Sequence, residues 1–303
     1  MSKAKGWLIA ATALTVSGLV LIGGTLAAVG FNIKNLSTTK YTDVTKVIDK
    51  TFDSIDINAA TLSVELAPSE EKECRLEFHE HENEQLSSFT EVENNTLVIR
   101  DDSRRNWFVH ITFFDFDSPK LTVYLPKNQF DSIKISEYTG EIKLNGLNVN
   151  TLSLKTTTGS ISAEKVNVSE NAEVKTATGS VKMTGVTAKN LTLNTTTGSV
   201  LTESVTVKNN LEANATTGCI KLKDTVAGVN AVLSCTMGTI TFDSADAANI
   251  YAHTTTGAIT GTLRSEKQFN AQSRTGGVNV PKSGSGGRCD LSTTTGDIKI
   301  EIE

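Results

Sequence analysis

The chain has 303 residues, 6% of them aromatic, and a formal net charge of −5. That length holds one large domain or two ordinary ones. The acidic balance excludes a nucleic-acid groove, which needs a basic footprint. The scarcity of aromatics points to a thin core of aliphatic and small residues.

Residues 1–5 carry Lys3 and Lys5 and read as a cytoplasmic tail. Residues 6–33 contain no charge. This run is long enough to span a bilayer, which takes about 20 apolar residues. The two lysines before it predict an N-in, C-out orientation, with the rest of the chain outside the cytoplasm. A cleaved signal peptide is the rival reading, with Ala28-Val29-Gly30 as its small-residue cleavage site. The run is much longer than the usual signal core of about 7–15 residues, so we read a single-pass anchor whose partner is the lipid bilayer. Residues 34–50 are polar with one aromatic, Tyr41, and read as a juxtamembrane spacer.

Residues 51–66 look like a first repeat. Phe52-Asp53-Ser54-Ile55 returns as Phe130-Asp131-Ser132-Ile133, and Leu62 stands where a glycine follows later. Residues 67–129 interrupt the pattern. Cys74–Phe78, Thr96–Ile99 and Lys120–Leu125 alternate as strands without the later period, which predicts antiparallel strands or hairpins packed on the start of the repeats. From 65 to 102, 12 acidic residues face Lys72, Arg75 and Arg100, a local net of −9, which suits a solvated hairpin. Trp107, Phe108, Phe113, Phe114 and Phe116 lie within ten residues of each other. They read either as a strand covering the end of the repeats or as an exposed docking patch; Trp107, Phe108, Phe114 and Phe116 are its candidate residues.

From residue 130 one pattern dominates. Gly140, Gly159, Gly179, Gly198, Gly218, Gly238, Gly257, Gly276 and Gly296 follow each other at intervals of 19 or 20 residues. A strict period of this size marks a solenoid, where each repeat buries its apolar edge against its neighbours. Two residues after each glycine stands Ile or Val, and Thr precedes it in every repeat except at Met237. Apolar residues also recur seven and five positions before it, as in Leu152 and Leu154 or Leu191 and Leu193. This alternation is the period of a strand. Its phase flips at the glycine, as at a corner, where glycine tolerates positive φ or a bulge. The reading is strand, glycine corner, strand, return. Parallel coils about 4.8 Å apart over eight intervals give a rod of roughly 38 Å. Gly284-Ser285-Gly286-Gly287 reads as a flexible return loop, and the alternating text from Asp297 to Glu303 as the terminal edge strand.

The expected fold is therefore all-β: a parallel β-solenoid over 51–303, with a strand insertion at 67–129 and one transmembrane helix before it. The Phe-Asp-Ser-Ile opening, the insertion closed by Leu125-Pro126 and the repeated Thr-Thr-Gly-Ser-Ile coils resemble the bacterial putative-adhesin family. This is a β-strand-repeat domain of unknown function, similar to the toast-rack domains of envelope proteins. The resemblance covers about residues 50–303 and implies a bacterial cell-envelope location. It also implies membrane-stress signalling as an alternative role, and it supplies no catalytic residues.

The residues offer little chemistry. Cys74, Cys219, Cys235 and Cys289 match no zinc spacing and read as small, mostly buried thiols. His79 and His81 share a strand face and could share a metal, but nothing in sequence completes the site, so they read as surface histidines. The threonine runs imitate an ice-binding array. Tyr138 and Arg274 break the outward file, so the Thr just before each glycine, and often the one two before that, read as buried or semi-buried hydroxyl ladders between coils. No cofactor or metal site is expected, and no acid pair recurs in register as a polysaccharide-active β-helix enzyme would need. The leading function is a non-catalytic surface binding or adhesion module for an envelope glycan, lipid or protein. Envelope-stress sensing is second and a polysaccharide enzyme third.

Overall fold

The structure, a computed structural model, describes residues 3–28, 30–31, 40–82, 86–100, 118–126 and 129–303. Lys3–Ala28 is one α-helix, about 39 Å long at 1.5 Å per residue. Among the described residues it alone is long and apolar enough to cross a bilayer. It stops at Gly30 and Phe31, both in the left-handed region. Gly30 N donates to Ala27 O at 3.1 Å and Phe31 N to Leu26 O at 2.7 Å, the paired bonds of a Schellman stop.

The rest is strand. One coil shows the plan: the long strand Asn171–Thr178, the corner at Gly179, the four-residue strand Val181–Thr184, a second corner at Gly185, and the two-residue strand Thr187–Ala188. Successive coils pair in parallel and in register. Ile161 faces Val181, and Val181 faces Val200, in one continuous file. The inward residues of coil 171–188 are all buried. Burying a Val or Leu side chain contributes about 1.5–3 kcal/mol, so short two-residue contacts repeated along the rod suffice to hold it.

In six coils the second corner contains a left-handed residue six positions after the glycine: Gly146, Lys165, Gly185, Ser204, Asp224 and Ser244. None is β-branched, as that backbone requires. The residue after it turns inward and is buried, as Val166, Val186 and Val205 are.

At the N-terminal end the parallel order runs on and then reverses. Thr96–Arg100 pairs with Ser54–Thr61, and Lys120–Pro126 with Ser63–Ser69, both in parallel. Thr90–Glu93 and Cys74–His81 then add antiparallel. The antiparallel pairing expected of the insertion holds for Cys74–His81, whereas Thr96–Ile99 and Lys120–Leu125, expected antiparallel, continue the parallel stack because their backbones extend the edges of Ser54–Thr61 and Ser63–Ser69. Tyr41–Ile48, inside the stretch read as a spacer, is a strand that pairs antiparallel with Cys74–His81 over eight residues. Its alternation turns Val44, Lys46 and Ile48 toward the cap, and Lys46 Nζ donates to the Thr90 carbonyl at 2.8 Å.

At the other end the coils leave sequence order. Ile240–Thr256 pairs with Arg288–Thr295, and Arg288–Thr295 pairs with Gln268–Thr275. Ile298–Ile302 lies between Ile259–Leu263 and Val278–Asn279. The C-terminal strand is therefore interior, and the edge expected there falls to coil 268–279. The glycines expected to be flexible serve this crossing. A Cβ on Gly286 would stand 1.6 Å from Glu266 O, and one on Gly287 would stand 1.8 Å from Ala248 O. They let the chain pass close to backbone on its way into the slot.

This order is testable by cross-linking. His253 faces Ser292, and Ser292 faces Gln272. A His253→Cys/Ser292→Cys pair is expected to oxidise to a disulfide. A His253→Cys/Gln272→Cys pair, about 9.6 Å apart, is beyond the roughly 7 Å reach of the bond and is expected to stay reduced. Peptide mapping reads both.

Candidate functional site

The long strands build one broad face. Their outward positions before the corner carry Ser136, Lys155, Lys175, Asn194, Asn214 and Ser234 in one file. Two positions on stand Tyr138, Thr157, Ala177, Thr196, Thr216 and Thr236. Between these files runs a shallow groove of about 460 Å³ that crosses five coils, from Ser136 to Thr216. Four steps of about 4.8 Å make it roughly 19 Å long. It offers cations at Lys155 and Lys175 and amides at Asn194 and Asn214. Lys175 pairs with Glu173. Asn214 donates to Asn194 Oδ1 at 2.9 Å and to Glu212 Oε1 at 2.8 Å. Such a row can make parallel hydrogen bonds to a repeating, hydroxyl-rich or anionic chain.

Behind the groove the threonines divide in two. The Thr three before each glycine is buried, as at Thr156, Thr176, Thr195, Thr254 and Thr293. Its hydroxyl donates to the corner-glycine carbonyl of the adjoining coil: Thr176 to Gly159 at 2.9 Å, Thr195 to Gly179 at 2.9 Å, Thr254 to Gly238 at 3.0 Å, Thr293 to Gly257 at 2.9 Å. The acceptor is backbone, where sequence reasoning expected another hydroxyl. Ala215 has no hydroxyl to offer Gly198. The Thr just before each glycine, expected to be buried or semi-buried, is exposed instead.

Coil order also changes the outward threonine file. Because Arg288–Thr295 stacks on Ile240–Thr256, Thr294 follows Thr255 directly and Arg274 moves to the edge. Thr196, Thr216, Thr236, Thr255 and Thr294 then form an unbroken file over five coils. At the bend before the long strands an asparagine ladder escaped the sequence reading. Asn190 donates to Asn171 at 2.9 Å, Asn230 to Asn210 at 2.9 Å, and Asn249 to Asn230 at 3.2 Å. The signal was present as Asn eight positions before successive glycines.

The nine glycines stand at the corners with φ between +138° and +156°. A Cβ on Gly159 would lie 1.8 Å from Gly140 O, so no side chain fits there. Trp107, Phe108, Phe114 and Phe116 lie outside the described residues. His79 and His81 do share a face, and the Tyr41 ring packs against both, with centroids 4.8 and 4.4 Å away. His79 Nδ1 is 2.7 Å from Asp43. Among the described residues no group of three metal-ligating side chains assembles. All four cysteines are free. Burial pushes the thiols of Cys74 and Cys289 up to about 12, so both stay protonated at neutral pH and are poor nucleophiles.

These features define a capped parallel β-solenoid with a polar face that crosses many coils. The chain belongs to the toastrack DUF4097 family, whose model matches residues 52–301. Among solved structures it is similar to a "putative adhesin" from Bacteroides fragilis, at 18% identity over 86% of this chain and 97% of that one, with a TM-score of 0.47. It is also similar to a "putative lipid binding protein" from Parabacteroides distasonis, at 14% identity over 86% and 97%, TM-score 0.42. A "putative cell adhesion protein" from Clostridium sporogenes matches at 16% identity over 87% and 100%, TM-score 0.27. Among curated proteins none matches the chain.

The two kinds of threonine are separable by mutation. Thr254→Val leaves the Gly238 carbonyl buried without its donor and is expected to cost about 1–3 kcal/mol in urea denaturation. The exposed neighbour Thr255→Val is expected to change stability by no more than about 0.5 kcal/mol.

Proposed function

We propose that this chain is a membrane-anchored, extracytoplasmic binding module without catalytic activity, which holds a repeating polymer of the cell envelope against the long face of its solenoid. Residues 1–5 are the cytoplasmic tail, 6–33 the anchor, and the solenoid stands outside the bacterial cell membrane. The supporting observation is the groove that crosses five coils between the Lys155–Asn194 file and the threonine file. A row of equivalent donors at a fixed spacing suits a ligand that also repeats, because each further contact forms at high effective concentration. The reading draws no support from a nucleophile or a metal. It rests on a surface that can hydrogen-bond many times without reacting.

The test uses the full chain in nanodiscs and a panel of purified envelope polysaccharides, neutral and anionic. At least one polymer is expected to bind. The groove variant Lys155→Glu/Asn194→Ala is expected to weaken that binding about tenfold, and Lys182→Glu on the neighbouring face to leave it unchanged. Equal affinity in all three would reject the groove. If no polymer binds, and a deletion strain attaches normally but responds abnormally to membrane-active agents, envelope-stress sensing replaces this reading.

A further inference from the structure

The interposed C-terminal coil makes coil 268–279 unlike every other. Among the described residues its strands pair with one neighbouring coil only, and it is the one that follows it in sequence. Gln268–Thr275 contains no buried residue, while Arg288–Thr295 beneath it buries Cys289, Leu291 and Thr293. On the short-strand side Val278–Asn279 pairs over two residues and is exposed, whereas Ile259–Leu263 pairs with Ile298–Ile302 over five. The chain then leaves without a third side, so this coil gains less burial than any interior coil. Coils joined by few buried apolar contacts open at lower free energy than the rest of a structure.

Both connections of this coil are fixed at one place. Lys267 is 3% exposed, and its Nζ lies 2.7 Å from Asp246 Oδ1, 2.7 Å from Ala247 O and 2.8 Å from Ser265 Oγ. A buried ammonium with all three protons engaged is a firm anchor. The return segment folds over the same point: Gly284 N donates to Lys267 O at 2.8 Å, and Phe269 N donates to Ser283 Oγ at 3.1 Å. The slot for coil 288–302 is therefore set by coil 250–263 and this anchor, and it does not need coil 268–279 to be in place.

We propose that coil 268–279 is a detachable end cap, which swings from the rod about the Lys267 anchor while coil 288–302 stays docked. Opening uncovers the strand edges now paired with it, where Gly296 N bonds Thr275 O at 3.0 Å and Ile298 N bonds Gly277 O at 2.9 Å. It also uncovers Cys289, which Phe269 covers in register. Cys235 lies in the middle of the rod, between Ala215 and Thr254, and serves as the internal control.

The experiment labels the full chain in nanodiscs with N-ethylmaleimide and follows each cysteine by peptide mass. Cys289 is expected to react about tenfold faster than Cys235 although both are buried, and Phe269→Ala is expected to raise the Cys289 rate about tenfold further while leaving Cys235 and Cys74 unchanged. Equal rates for Cys289 and Cys235, or a variant that accelerates all buried thiols together, would overturn the cap. Amide hydrogen exchange on the unmodified chain is a second measurement that needs no variant. Residues 268–279 are expected to exchange at least about tenfold faster than 288–302, and matched protection in the two coils would also overturn it.

Discussion

The solenoid depends on a contact between backbones. At eight of the nine glycine corners the carbonyl of one glycine occupies the place where a Cβ on the next would project, at 1.8–2.1 Å from the ideal position, and at Gly140 the Leu62 carbonyl does so at 1.8 Å. The same glycines hold φ values that side-chain-bearing residues rarely adopt. Eight of the nine corner glycines donate their N–H across the stack, as Gly159 N does to Thr178 O at 2.8 Å; Gly276 stands in the end coil. Only a residue without a side chain satisfies closeness, conformation and hydrogen bonding together. The recurrence of glycine at 19 or 20 residues is thus a steric requirement repeated once per coil.

From that contact the rest follows. The corner fixes which residues stack, so aliphatic side chains form files inside and threonine, asparagine and lysine form files outside. The buried threonines bond the glycine carbonyls that the turn would otherwise leave without a donor. The groove is the space between two such outward files. Edges, which parallel stacks expose at both ends, are handled differently at each. The N-terminal end turns antiparallel and is covered by Cys74–His81 and Tyr41–Ile48. The C-terminal end sends its last coil inward and leaves the thinly packed coil 268–279 outside.

Much of this was legible in the sequence. The glycine period, the Ile and Val two residues after it and the capping insertion are local patterns with one simple reading. The order of the last coils was not legible. Every coil carries the same files, so coil 288–302 stacks on 250–263 as well as coil 268–279 would, and sequence adjacency misled. The clue lay in Gly284, Gly286 and Gly287, whose role is close passage by Glu266 and Ala248. The second corner was hidden because Gly, Lys, Ser and Asp all accept its left-handed backbone. The strand Tyr41–Ile48 was hidden because only Ile48 of its eight residues is buried and its partner Cys74–His81 is distant in sequence. Of the candidate site, the outward threonine file was visible, but which threonines face water depends on the corner geometry and could not be read from spacing.

The central claim is that the corner glycines are irreplaceable because backbone occupies their Cβ space. Equilibrium urea denaturation of Gly198→Ala beside Thr196→Ala, two residues away on the same strand end, tests it most directly. The account predicts a loss of about 3 kcal/mol or more for Gly198→Ala and a change within about 0.5 kcal/mol for Thr196→Ala. Indistinguishable stabilities for the two variants would contradict it.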